Sequence, residues 1–592
     1  MLYRFYVSLL VLSLALCLFA QEGEEKKETK THTRLVVLDL AGSYPEHSAV
    51  EGLENQTSLH QLLELIYACK DDAQVDGLIL KVSGVGMGYG KLTAVIQALR
   101  QFRTTGKPIY CFLESAMTQH YLLAAQASRL SLYPTGEIFI PGVAMQMVFM
   151  KGLLEMLGVE ADFITQGKYK AAAEAMTRES SSPESREANE AMLDDFYEGL
   201  LEEIASARKL SKSDAKQVIN GGMFSGKEAL AAKLVDHCEY PDEFEAALQA
   251  SHPLPIKKIT DYKKKKRPEL NTNNPFALFQ VLSQILNPQK KKESKNPKIA
   301  ILYASGGISS GKAPAPSFFG STEGIYSDDL VKEIRSLRDN ETVKAVVFRI
   351  DSGGGSALAS DVIHREIELL KAKKPVIASM SDVAASGGYY IAAPCDLIFA
   401  EKLTITGSIG VLGGKMVLKK AYEKLGLNME TLARGRYAEL FSSDRKWNTQ
   451  ERQLIDTYMS KVYDDFVMVV AKGRKMSPYD VHKVAQGRVW TGKAALEKGL
   501  VDQLGGVTDA LTKARELAKL EGVSDVEIKA YPEPRSFFDL LAEGFNFAQI
   551  QEKTLYAHIP QEFHALLKRV AFLKNLTKEH FFYVLPYQIE IK

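Results

Sequence analysis

The stretch VKAVVFRIDS, residues 343–352, has a distant counterpart in VDGLILKVSG, residues 75–84. Each is a short, nearly continuous apolar run rich in β-branched residues, the pattern of a strand buried on both faces. The two are displaced by 268 residues (343 − 75). The same displacement relates GKYKAAAEAM at 167 to GRYAELFSSD at 435, and one of 266 relates SGKEALAAKLVD at 225 to TGKAALEKGLVD at 491. The two-residue slip falls between 170 and 182, ahead of a helix start marked by Ser182-Pro183 in one half and Asn448 in the other. A nearly constant displacement over several segments identifies two copies of one unit.

Outward from these strands, LTAVIQALRQF and ASDVIHREIELLK have helical periodicity, and KPIYCFLE and KPVIASM read as the next strands. This strand–helix alternation predicts an α/β fold with a mostly parallel sheet and crossover helices in each copy. The expected organisation is a signal or anchor segment with a charged spacer over 1–32, a first copy over 33–250 and a basic linker over 251–296. A second copy over 297–520 and a C-terminal extension over 521–592 complete it. In the linker, lysine clusters flank the apolar stretch Phe276 to Leu286, which reads as a helix packed on a neighbour or as a segment resting on anionic lipid. The extension shows no counterpart in the first copy, and its HALLKRVAFLKNL looks helical.

With 592 residues, 46% hydrophobic and 25% charged, the chain has the composition of a multidomain globular protein. A net charge of +1 and the lack of zinc or RNA-binding motifs argue against a nucleic-acid partner. Five scattered cysteines without a CxxC read as core residues rather than disulfides or a metal site. At the start, Arg4 precedes an apolar run from Phe5 to Ala20 and then a charged stretch, the layout of a secretory signal or short membrane anchor. The run falls just short of the ~20 residues of a spanning helix, and Leu18 and Ala20 make a poor cleavage site. Export, with retention as an anchor, is the expectation.

In SDVAASGGYYIAAP, residues 381–394, Ser386 sits among small residues at a strand–helix junction, open to a substrate. A serine nucleophile usually needs a histidine base, yet no histidine occurs between His364 and His482. The first copy has Thr118 at the corresponding position, within TQHYLLAA; conversely, Lys170 corresponds to Ala438. One copy keeps a hydroxyl and the other an amine. If the copies pack face to face, Ser386 and Lys170 meet across the interface. A lysine near its usual pKa of about 10.4 is almost wholly charged at pH 7, so it serves as a base only when burial lowers that value. Ala171, Ala172 and Ala173 give Lys170 no acidic flank, whereas the competing Lys168 is matched by a cation, Arg436.

Charge stabilisation has a candidate in RIDSGGGSALASD, residues 349–361, whose glycines either expose backbone N–H groups to an oxyanion or form an ordinary tight turn. The glycine-rich GVGMGYGKL, residues 84–92, fails as a phosphate loop, with Val85 at its first glycine position and Leu92 at its hydroxyl position. Two S-x-x-K matches, Ser206–Lys209 and Ser213–Lys216, lack the partner motifs and read as chance.

Together, DSGGGS, MSDVAASGGYYIA and TGSIGVLG resemble the signature of the signal peptide peptidase A (protease IV) family in its long two-copy form, over about residues 35–540. The family usually has proline where Gly353 stands. The resemblance implies a tandem duplication of a ClpP/crotonase-like ββα spiral unit. It implies Ser386 as nucleophile, Lys170 as general base, Ser408 as the hydroxyl holding the lysine amine, and Gly354 and Gly355 as the oxyanion hole, with no metal or cofactor. The implied enzyme is a membrane-associated serine endopeptidase with a Ser/Lys dyad that degrades released signal peptides and other short hydrophobic peptides. It would be a homotetramer at the cell inner membrane, N-terminally anchored, with its catalytic part on the periplasmic side. An acyl-CoA enzyme of the crotonase type is disfavoured by export and by the lack of a carboxylate pair at the glycine turns. A non-catalytic scaffold is disfavoured by the complementary retention of serine and lysine.

Overall fold

A computed structural model describes residues 30–47, 50–51, 57–263, 294–314, 324–533, 535–536 and 581–584. The anchor expected before residue 30, the linker stretch Phe276 to Leu286 and the helix expected at 564–576 lie outside the described residues. Among the described residues no helix is long and apolar enough to cross a membrane.

The two apolar runs are the central strands of two sheets. In the first sheet the order is Met223–Ser225, Arg129–Phe139, Ile109–Met117, Gly77–Gly86, Thr33–Ser43, Ile256–Ile259, with His237–Cys238 beside Arg129–Phe139. In the second it is Val489–Thr491, Ile405–Gly407, Val376–Ala385, Val343–Ser352, Lys298–Ser305, Glu527–Tyr531, with Leu397–Ala400 and Gln503–Leu504 paired alongside. Both sheets are parallel except for the antiparallel strands Met223–Ser225 and Val489–Thr491. The orders correspond, with Arg129–Phe139 of the first copy matched by the two strands Leu397–Ala400 and Ile405–Gly407 of the second, so the duplication holds at the level of topology. The last strand of each sheet, Ile256–Ile259 and Glu527–Tyr531, lies beyond the expected boundaries at 250 and 520. Part of the extension therefore does have a first-copy counterpart.

The helices repeat too. Tyr89–Arg103 and Ala357–Lys371 share one length at the 268-residue displacement, and Pro183–Arg208 and Thr449–Arg474 share another at 266. The second pair starts where the sequence signals it. Ser182 accepts from the Ser185 N–H ahead of Pro183, and Asn448 forms a reciprocal cap with Glu451.

The copies do not meet face to face. Along the central strands of the second sheet, Ile299, Ile301, Val347 and Ile377 join the core built on the first copy's helices. The alternate residues Ala300, Leu302, Val346 and Phe348 pack under Ser327–Asp339 and Ala357–Lys371. The second sheet is thus covered on both sides, and the helical face of one copy sits on the opposite face of the next, a head-to-tail stack. The glycines of GVGMGYGKL serve this contact: a Cβ on Gly88 would fall 2.1 Å from Asp382 Cγ, and one on Gly90 2.6 Å from the Ser381 carbonyl oxygen. At the same seam Arg349, fully buried, donates to Glu46 of the first copy (2.9 Å), to Ser379 (3.0 Å) and to Ser381 (2.9 Å).

A third sheet joins the copies directly. Glu160–Gln166 runs antiparallel to Val411–Val417, with Gln166 opposite Val411 and Glu160 opposite Val417. This pairing places the chain after Gln166 beside the chain before Val411, which is where Lys170 and Ser408 lie.

Candidate active site

Ser386 ends the strand Val376–Ala385 and caps the helix Gly387–Ala392. Its backbone has φ 56° and ψ −117°, a region that a residue with a Cβ enters only when its surroundings enforce it. The Ser386 N–H donates to the Gly407 carbonyl at 2.8 Å, pinning the turn to the next strand. The two glycines that follow are required by space: a Cβ on Gly387 would lie 3.1 Å from the Gly354 Cα, and one on Gly388 2.4 Å from the Ser352 carbonyl oxygen. The sharp strand-to-helix turn presents a buried hydroxyl at its apex, the geometry of a nucleophile elbow.

Lys170 reaches that hydroxyl from the other copy. After Gln166 the chain turns at Gly167, whose φ is 105°. It is then held by Gln486, whose carbonyl accepts from the Tyr169 N–H at 2.8 Å. Gly487 lets the two backbones close, since a Cβ there would fall 2.5 Å from the Lys170 nitrogen. Lys170 Nζ lies 2.7 Å from Ser386 Oγ and 3.0 Å from both the carbonyl oxygen and Oγ of Ser408. Only 3% of the residue is exposed, and Ala171, Ala172 and Ala173 are buried around it. Burial holds its pKa well below the usual lysine range. A neutral amine has two N–H donors and one lone pair. In that form, with both donors on Ser408, the lone pair would face Ser386 Oγ.

The structure thus brings Ser386, Lys170 and Ser408 together. Ser408, like Ser386, has a positive φ, 50°, and its N–H is fixed on the Arg488 carbonyl at 2.7 Å. The glycine turn lies alongside, but its two expected donors differ. The Gly354 N–H is already spent on Ser352 Oγ at 3.1 Å, and Ser352 Oγ itself donates to the Gly306 carbonyl at 2.6 Å. The Gly355 nitrogen is the one close to the elbow, 3.2 Å from where a Cβ of Gly387 would stand. Lys168 lies outside the cluster, its ammonium 4.9 Å from the centre of the Tyr169 ring.

Sequence reasoning missed Lys91. Its Nζ donates to Asp351 at 2.7 Å and approaches Asp382 at 3.1 Å, while its N–H donates to Asp382 at 2.9 Å. One first-copy lysine therefore ties the approach to the glycine turn to the approach to Ser386. Gln486 and Gly487 were missed as well. The spacing of GYGKL carries a signal for close backbone approach, but nothing local marks Gln486. The cysteines Cys69, Cys111, Cys238 and Cys395 are free. Among the described residues there is no group of three or more histidine, cysteine or acidic side chains placed to hold a metal.

The pattern of peptidase family S49 matches twice, over residues 101–253 and 368–521. The chain is 35% identical to the chloroplastic serine protease SPPA of Arabidopsis thaliana, over 78% of this chain and 66% of that protein. It is 31% identical to Protease 4 of Salmonella typhi, over 79% of this chain and 73% of that one. A solved ClpP1 mutant from Listeria monocytogenes covers 36% of this chain and 94% of its own, at 14% identity and a TM-score of 0.23. With one match on each copy and relatives aligned over most of its length, the chain belongs to peptidase family S49 and is a serine peptidase.

Proposed function

We propose that the serine peptidase works through a Ser386/Lys170 dyad divided between the two copies, and that it cleaves released signal peptides and other short hydrophobic peptides. The observation that carries the dyad is the 2.7 Å approach of the buried Lys170 amine, whose pKa burial lowers, to Ser386 Oγ. Ser386 Oγ attacks the peptide carbonyl as its proton passes to Lys170 Nζ, and Ser408 keeps that lone pair aimed. The oxyanion forms against backbone N–H groups, for which Gly355 and the helix-opening Gly387 are the candidates; the first N–H groups of a helix have no partner within it. Lys170 then gives its proton to the leaving amine. Water, deprotonated by the same amine, hydrolyses the acyl-enzyme.

The apolar N-terminal run supports a membrane-held enzyme facing the extracytoplasmic side, where such peptides remain after cleavage from their precursors. Exposed Leu153, Met156 and Leu157 of the first copy and Leu425 and Leu427 of the second supply an apolar rim suited to self-association, in line with the expected homotetramer. The test is hydrolysis of a short chromogenic hydrophobic peptide by the wild type, Ser386→Ala, Lys170→Ala and Lys168→Ala. Both dyad variants lose turnover while remaining folded, and Lys168→Ala keeps it. A near-normal rate in Lys170→Ala would place the base elsewhere.

A further inference from the structure

The strand that delivers Ser386 falls out of step with its neighbour just before the nucleophile. Between Val343–Ser352 and Val376–Ala385, Ile350 stands opposite Met380 and Ser352 opposite Ala384, so Asp351 alone faces Ser381, Asp382 and Val383. This bulge precedes Ser386 on one strand and the glycine turn on the other. Its shape therefore sets where the hydroxyl stands relative to the Gly355 amide. Each residue of the bulge is held by a side chain. The Val383 N–H donates to Asp351 Oδ1 at 3.1 Å. Ser381 Oγ is bonded to Glu46 of the first copy and accepts from Arg349 at 2.9 Å. Asp382 Oδ1 accepts from the Lys91 N–H at 2.9 Å, and Lys91 Nζ bridges Asp351 Oδ2 at 2.7 Å and Asp382 Oδ2 at 3.1 Å.

The bridge belongs to one copy. At the 268-residue displacement Lys91 corresponds to Ala359, while Asp351 and Asp382 correspond to Ser83 and Glu114. The lysine thus stands beside the copy that carries Ser386 and is replaced by alanine in the other. We infer that Lys91 is a positioning residue for peptide hydrolysis: by holding Asp351 and Asp382 together across the bulge, it fixes Ser386 against the Gly355 amide. This rests on the Ser386/Lys170 reading of the site, and it gives the first copy a second part in catalysis besides supplying the base. The bridge is electrostatic. The carboxylates of Glu46, Asp351 and Asp382 meet the cations of Lys91 and Arg349, and Glu401 and Tyr303 face the same network. Burial pushes the Asp351 carboxyl up to about 6, with Lys91 working against the rise and Asp382 and Glu46 adding to it. Without Lys91 the rise is larger. At low pH the two aspartates then carry one charge between them, and as pH rises two like charges push the bulge open. A displacement of about 1 Å at the reacting atoms costs about 10²-fold in rate.

The experiment measures kcat and KM on the chromogenic hydrophobic peptide between about pH 6 and about pH 9, beside thermal melting. It compares the full-length wild type with Lys91→Met, Lys91→Arg and the double variant Lys91→Met/Asp382→Asn, with Ser386→Ala as the blank. In Lys91→Met, kcat at about pH 8 should fall about 10²-fold while KM stays within about threefold, and the deficit should shrink toward about pH 6. Lys91→Arg keeps the charge and should recover most of the loss. The double variant takes away one of the two repelling carboxylates, so it should regain at least about tenfold in kcat and lose the pH trend. A lysine that only packs would give the opposite, a second substitution adding to the damage. A kcat within about threefold of wild type in folded Lys91→Met overturns the inference, as does a loss that is constant across pH or confined to KM. Should Lys91→Met not fold, the double variant is read against wild type: a kcat about tenfold low without a pH trend supports the inference, and a wild-type kcat overturns it. Turnover in Ser386→Ala would instead count against the dyad, and the ratio of the Lys91 variants to wild type does not depend on it.

Discussion

Thr118 and Ser386 stand at the same point of the two copies, and their surroundings have diverged in opposite directions. In the second copy Ser386 is held at a positive φ, and two glycines keep the neighbouring backbone uncovered. In the first, the residue before the helix is Met117, with an ordinary extended φ of −87°, and Thr118 falls inside the helix. The glycine positions carry Gln119 and His120. Gln119 Oε1 accepts from the Met87 N–H at 3.4 Å, and His120 Nε2 accepts from the Val85 N–H at 3.0 Å. Met87 is the counterpart of Gly355. The amide proposed to meet an oxyanion in one copy is covered by a side-chain oxygen in the other. Among the described residues the buried Thr118 Oγ1 has no hydrogen-bond partner, and Ala438, the counterpart of Lys170, is exposed. On the proposed reading, the duplication has kept one scaffold twice and one site once: a hydroxyl at the right topological position would stay inert without the strained turn, the free amides and an amine from the other copy.

The sharpest way to break this comparison is to move the hydroxyl. Thr118→Ser in the Ser386→Ala background should stay inactive, at least about 10³-fold below wild type in peptide hydrolysis. Turnover there would mean that the first copy holds a working site. Next in size is the seam that joins the copies. Glu46→Ala leaves the fully buried Arg349 without its carboxylate and should cost about 3–5 kcal/mol in denaturant unfolding. A loss below 1 kcal/mol would mean that the copies are not locked through this pair.

Lys170 itself should be a burden on the fold. Its pKa is depressed in the folded state, so between that value and about 10.4 the unfolded chain binds a proton that the folded chain does not. Stability then rises with pH across that window. Lys170→Met should melt higher than wild type at neutral pH, by about 1.4 kcal/mol for each unit of depression, with the difference closing as pH approaches 10.4. A variant no more stable than wild type would mean that the amine is charged in the fold. A smaller effect at any one pH step is expected at Glu401, buried at the same seam. Burial pushes its carboxyl up to about 8, with Arg349 working against the rise. The folded chain holds that proton where the unfolded chain has released it, so stability falls from the usual carboxylate range up to about pH 8. Glu401→Gln should flatten a slope of up to about 1.4 kcal/mol per pH unit.

Much of this was readable in the sequence because duplication turns one chain into two aligned ones. The 268-residue displacement gave the strands and helices their partners, and the complementary loss of Ser386 at Thr118 and of Lys170 at Ala438 pointed to a divided site. What could not be read depends on packing between distant segments. The head-to-tail stack follows from which face of the second sheet accepts the first copy's helices, and both faces of that sheet are equally apolar in sequence. The commitment of the Gly354 N–H to Ser352 depends on a side-chain rotamer. Lys91 looked like a failed phosphate loop because its partners, Asp351 and Asp382, lie in the other copy. Phe581–Val584 finds its pairing partners more than 160 residues away, beyond the reach of any local pattern.

The divided dyad is tested most directly by the rate at which a serine-reactive phosphonate labels Ser386, followed against pH in wild type and Lys170→Met. The account predicts labelling at Ser386 that rises through a single ionisation below the ordinary lysine range, and that this limb vanishes with Lys170→Met as the rate drops at least about 10³-fold. An unchanged profile in Lys170→Met would contradict it, because the proton of Ser386 would then be leaving by another route.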